Sequence, residues 1–169
     1  MFKKFWKEIL LAAVFTLVLF TLMDLVGNLF APSIETGELT LSAGLMAFSI
    51  IALFLPALVG CIPSGYLIAK KTKDIKAVIF APALGAAIGG LVLMLFSAGA
   101  LLLMTDAAWQ NQMNELADYG VEFFATMSLA NYKSMVIASV VFGAIFIAVL
   151  NFAIGLAGGF VGSKLVKKK

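Results

Sequence analysis

The chain contains no histidine and no arginine, and it has a single cysteine, Cys61. The first absence removes the commonest general base and the commonest transition-metal ligand. The second removes the bidentate clamp most often placed on phosphate or carboxylate. One cysteine allows no intrachain disulfide, and Cys61 lies in an apolar run, where a thiol behaves as a small hydrophobe. Ser-His and Cys-His nucleophilic chemistry is excluded, and no Gly-x-x-x-x-Gly-Lys-Ser/Thr phosphate loop occurs. Charge is scarce as well: Asp, Glu, Lys and Arg make up 12% of the chain, against about 25% in soluble domains. These absences argue against an enzyme and imply neither a metal nor a cofactor.

What the chain has in abundance is apolar side chains. Of its 169 residues 63% are hydrophobic, and the mean hydropathy is +1.09. That is too apolar for a soluble domain and too short for more than one unit, so the whole chain is expected to form one integral membrane domain. Four apolar runs, at about 9–29, 41–69, 77–104 and 135–162, are each long enough to cross ~30 Å of hydrocarbon as a helix. The first follows a basic lead (Lys3, Lys4, Lys7), as a secretory signal would. Its length and the lack of a small-x-small cleavage site favour a retained span, with Trp6 at the interface. The second run carries Pro56 and Pro63 and exceeds the bilayer, which predicts a tilt or kink. Pro63 frees backbone groups beside Gly60, Ser64 and Gly65, where a neighbouring helix can approach.

The one long polar stretch, about 105–133, predicts an amphipathic segment. Trp109, Met113, Leu116, Phe123, Phe124 and Met127 recur every three to four residues, and Gln110, Asn111, Asn114, Glu115, Asp118 and Glu122 hold much of the other face. Thr105 is placed to cap such a helix, and Gly120 to break it. The charges give a direction. The lead, the connection from Lys70 to Lys76 and the tail hold eleven lysines against Glu8 and Asp74, while the other two loops hold six acids against Lys133. Lysine-rich segments stay in the cytoplasm, so both termini are expected there, in the cell membrane, with the amphipathic segment outside. The net charge of +3 reflects this sorting and gives no reason to expect a nucleic-acid partner.

Glycines mark the helix faces. Gly85-x-x-x-Gly89, Gly155-x-x-x-Gly159 and Gly158-x-x-x-Gly162, with Gly65 in the second run, allow backbones to approach closely. They fit either packing within one bundle or contact with another subunit. Ala57, Cys61, Gly65 and Ala69 also correspond to Asn151, Gly155, Gly159 and Ser163 at a constant offset of 94 residues. This fits a duplication relating two hairpins about an axis along the membrane normal, and equally the chance alignment of abundant small residues.

At Gly65-Tyr66-Leu67, at the Pro82-to-Gly90 entry of the third run and at Gly158-Gly159-Phe160-Val161-Gly162, the chain resembles small uncharacterised four-span, glycine-rich membrane proteins of archaea. The resemblance implies the four-span topology and a prokaryotic membrane, and brings no activity with it.

Two polar positions stand out inside the apolar runs. Asp24, with Asn28 one turn further on, is the one carboxylate well within a span, and Asn151 lies near the middle of the last one. They suggest either an intramembrane polar site or ordinary interhelical hydrogen bonds. The expected fold is all-α, a four-helix transmembrane bundle with an amphipathic segment between spans three and four. The expected function is a non-enzymatic accessory or scaffold subunit or a homo-oligomer, with the lipid bilayer and other membrane subunits or itself as partners. The alternative is a small transporter or channel using Asp24.

Overall fold

In hydrocarbon a backbone satisfies its own polar groups either as a helix or in a closed barrel, and long apolar runs without period-two alternation select the helix. The computed structural model of the chain describes residues 2–30, 43–118 and 122–166. Among these residues every regular element is helical. A short 3-10 turn, Phe2–Lys4, precedes α1 (Trp6–Phe30), α2 (Ala43–Lys71), α3 (Ile75–Leu102), α4 (Asp106–Asp118), α5 (Glu122–Ala125) and α6 (Leu129–Lys164). Three stretches, Trp6–Val26 of α1, the whole of α3 and the whole of α6, are long and apolar enough to cross a membrane. An all-helical membrane protein is the reading these helices support.

Short polar side chains set the boundaries. Asp74 Oδ1 accepts from the N–H groups of Lys76 and Ala77 at 3.0 and 3.4 Å and so caps α3. Thr105 Oγ1 accepts from Ala108 N–H at 3.3 Å, the cap expected from the sequence for α4. Ser128 Oγ accepts from Asn131 N–H at 3.3 Å. This cap starts α6 at Leu129, ahead of the apolar run from 135, so the helix extends past the stretch that hydropathy alone marks. Pro56, Pro63 and Pro82 lie inside continuous helices.

The helices form two compact units. The larger comprises residues 1–93 and 146–169, hence α1, α2, the first two-thirds of α3 and the second half of α6. Its core holds two apolar clusters. Phe5, Ile9, Ile68, Ala77, Val78 and Ala81 make one, and Ala12, Ala57, Cys61 and Ala86 the other. Most of the second are alanines, because the backbones leave room for little more. The smaller unit, residues 94–145, is built around Trp109, Met113 and Tyr132. The Trp109 and Phe124 rings both meet Tyr132 edge-on at 5.8 Å between centroids. α4 has the expected two faces: Trp109 and Met113 are buried, while Asn111, Asn114, Glu115 and Asp118 are exposed. Phe123, expected on the apolar face, is 61% exposed. The break expected at Gly120 lies outside the described residues; α4 ends at Asp118 and α5 starts at Glu122.

Candidate functional site: the glycine seams and buried polar side chains

The larger unit is held by glycines set directly on the backbones of neighbouring helices. Gly85 and Gly89 of α3 face the carbonyl oxygens of Ile9 and Ala13 of α1. Gly158 and Gly162 of α6 face those of Leu58 and Ile62 of α2. In both seams a Gly-x-x-x-Gly pair meets carbonyls that are also four residues apart, one helical turn on each side. A Cβ built on Gly89 would come 2.6 Å from Ala13 O, and one on Gly65 would come 2.5 Å from Gly159 O. The glycine hydrogens therefore point at carbonyl oxygens, the Cα–H···O geometry that recurs where membrane helices touch. Gly159 and Gly155 complete the set against α3, where Cβ atoms would lie 2.8 Å from Val78 O and from Ala83 Cα respectively. All seven glycines singled out in the sequence thus pack against helices of the same chain.

The contacts also fix which helix is next to which. On α2, Gly60, Ser64 and Lys71 meet α1, and Leu58, Ile62 and Tyr66 meet α6. Between these two faces Cys61 Sγ donates to Pro82 O of α3 at 3.2 Å. α1 and α6 therefore flank an α2–α3 pair on opposite sides. This bears on the 94-residue correspondence. The matched residues do face each other, Gly65 on Gly159 and Cys61 on Gly155.

Polar side chains inside this unit fall into two groups. The first is bonded. Ser64 Oγ donates to Glu8 O at 2.6 Å, and the Glu8 carboxylate pairs with the Lys71 ammonium. The Glu8 side chain is 6% exposed and that of Lys71 57%, so the pair runs from the core out to the rim. Glu8 lies in the first turn of α1 and Lys71 in the last turn of α2, so each charge also complements its own helix dipole. The sequence had placed Glu8 in a loose basic lead; its partner is 63 residues away, and no local pattern points to it.

The second group has no partner among the described residues. Thr16 Oγ1 and both polar atoms of Asn151 are fully buried and unbonded. They lie at one level. Asn151 stands against Gly90 of α3, and Thr16 against Gly60 of α2 and the adjacent Gly89 of α3. Thr16 was not anticipated from the sequence, where it is one hydroxyl in an apolar run. Asp24 is exposed, two turns further along α1, roughly 12 Å from Thr16 by helical rise. The Asn28 side chain is outside the described residues. Among the described residues no contact joins Asp24 to Asn151; Thr16 and Asn151 are buried, whereas Asp24 is exposed. Among the described residues no three His, Cys, Asp or Glu side chains gather as metal ligands would.

No family model, curated protein or solved structure matches the chain. Its function has to be read from the packing itself.

Proposed function

We propose that this chain is a non-enzymatic integral membrane protein of four spans, α1, α2, α3 and α6, acting as an accessory or scaffold subunit. In this reading both termini are cytoplasmic, and α4 and α5 form the amphipathic segment on the outer side of the cell membrane. The observation that carries it is the engagement of the seven glycines with backbones of the same chain. Four helices locked this way form a rigid block whose sides, between its charged end and the other unit, are apolar. Phe146 and Val149, for instance, are each 64% exposed. Partner subunits, or further copies of the chain, would meet that side-chain surface and leave the glycine seams intact.

One observation favours a second reading, a small transporter or channel. Thr16 and Asn151 place three unbonded polar atoms in the core, and unsatisfied polar groups in an apolar medium cost about 2–7 kcal/mol each unless something pairs with them. Solvent or a translocated solute would do so.

The deciding experiment is the mass and composition of the particle purified from native membranes under mild detergent. A stable complex with other membrane proteins is expected. A symmetric homo-oligomer whose Asp24→Asn and Asn151→Leu variants lose ion or proton flux in vesicles would replace the scaffold reading with the transport one.

A further inference from the structure

One end of the larger unit collects nearly all the positive charge. Lys3, Lys4 and Lys7 precede or open α1; Lys70 and Lys71 end α2; Lys73 and Lys76 flank the turn into α3; Lys164 ends α6. The packing holds these termini together. Glu8 of α1 pairs with Lys71, Phe5 shares a cluster with Ile68 and Ala77, and Gly162 of α6 lies against Tyr66 of α2. Among the described residues two acids, Glu8 and Asp74, belong to this end, and both are engaged. Glu8 is turned inward onto Lys71, and Asp74 is spent on the N–H groups that open α3. Six described lysines at this end, Lys3, Lys4, Lys70, Lys73, Lys76 and Lys164, thus have no carboxylate partner among the described residues, while Lys7 lies near enough to Glu8 to act on its charge. Three of them, Lys4, Lys70 and Lys164, lie over the rings of Phe5, Tyr66 and Phe160 at 5.6, 4.3 and 5.0 Å. Lys70 and Lys164 thereby lie back along their own helices, four residues past an aromatic ring.

We infer that this lysine-rimmed end is a binding surface for anionic phospholipid headgroups. The inference rests on the reading of the chain as membrane-spanning, which puts the ends of α1, α2, α3 and α6 at headgroup level. A sorting signal for insertion needs lysines near the spans and says nothing of their counter-ions. The inward turn of Glu8 and the capping role of Asp74 go further, because they remove the local carboxylates that would compete with lipid phosphate. Exposed aromatic rings at the same end, Trp6 at 56% and Phe160 at 44%, supply amphipathic contact at that depth.

The test is native mass spectrometry of the full-length protein released from nanodiscs containing equal phosphatidylglycerol and phosphatidylcholine. Retained lipid is expected to be mostly phosphatidylglycerol, with retention falling about five-fold for each lysine removed, the equivalent of ~1 kcal/mol. Lys70→Gln with Lys164→Gln should lower it, as should Lys73→Gln with Lys76→Gln on the turn. Lys133→Gln should leave it unchanged, because Lys133 pairs with Asp106 at 2.5 Å in the other unit. Equal retention of the two lipids, or an equal loss in the Lys133 variant, would overturn the inference while leaving the membrane reading intact. A chain that fails to enter nanodiscs and stays in solution without detergent would overturn both.

Discussion

Substituting alanine for glycine should change sign with position in this molecule. At Gly65 the new Cβ would lie 2.5 Å from Gly159 O and 2.8 Å from Gly159 Cα, and ordinary van der Waals contact begins at 3.4 Å. The clash is with backbone on both sides, so relief needs α2 and α6 to part by the missing 0.9 Å. That movement would also loosen the Gly158 and Gly162 contacts along the same seam. Overpacking of this kind costs about 1–3 kcal/mol, and the better helix propensity of alanine returns roughly 0.5–1 kcal/mol. Gly65→Ala should therefore destabilise by about 1–2 kcal/mol. At Gly99 of α3 a Cβ meets nothing within 4 Å, so the propensity gain acts alone. Gly99→Ala should stabilise by about 0.5–1 kcal/mol. Gly143 lies between these cases, since its Cβ would meet the flexible end of Met94 at 3.3 Å. The comparison is made by reversible unfolding in mixed micelles with increasing SDS, followed by circular dichroism. Equal shifts for Gly65→Ala and Gly99→Ala would show that glycine content, and not backbone contact, holds these helices together.

Further outcomes follow from single contacts. Lys71→Met leaves the Glu8 carboxylate nearly buried without its ammonium and should cost about 1–3 kcal/mol, whereas Glu8→Gln, an uncharged near-isostere, should cost less. A double-mutant cycle should give a coupling of about 1 kcal/mol, and additivity would show the pair to be incidental. Cys61 is fully buried, so a membrane-permeant maleimide should label it only after denaturation; rapid labelling of the folded protein would place it on a hydrated path. Trp109→Ala removes the ring that packs on Tyr132 and should cost about 3–5 kcal/mol. Limited proteolysis should then cut first within residues 94–145, and cleavage elsewhere first would contradict the separate core of that unit.

Much of the architecture was legible in the chain because it depends on short-range chemistry. Apolar run length selects helices, Thr105 caps the helix whose Trp109 and Met113 face inward, and Gly-x-x-x-Gly marks a face that can be approached closely. None of these signals says what approaches. Spacing could not tell a seam within the chain from one between subunits, and it made Gly65 and Gly159 look like symmetry mates. Tertiary structure set them against each other, Gly65 of α2 on the backbone of Gly159 of α6. Nor could the sequence pair Glu8 with Lys71 or set Thr16 and Asn151 at one level, because each partner comes from a different helix. The sequence by itself determined which segments are helices, where several of them start and which faces are bare enough to touch, all consequences of backbone satisfaction and side-chain size along one stretch. Only the tertiary structure decided which faces meet and which buried polar groups find partners, because the order of helices around a core follows from the fit of whole surfaces far apart in the chain.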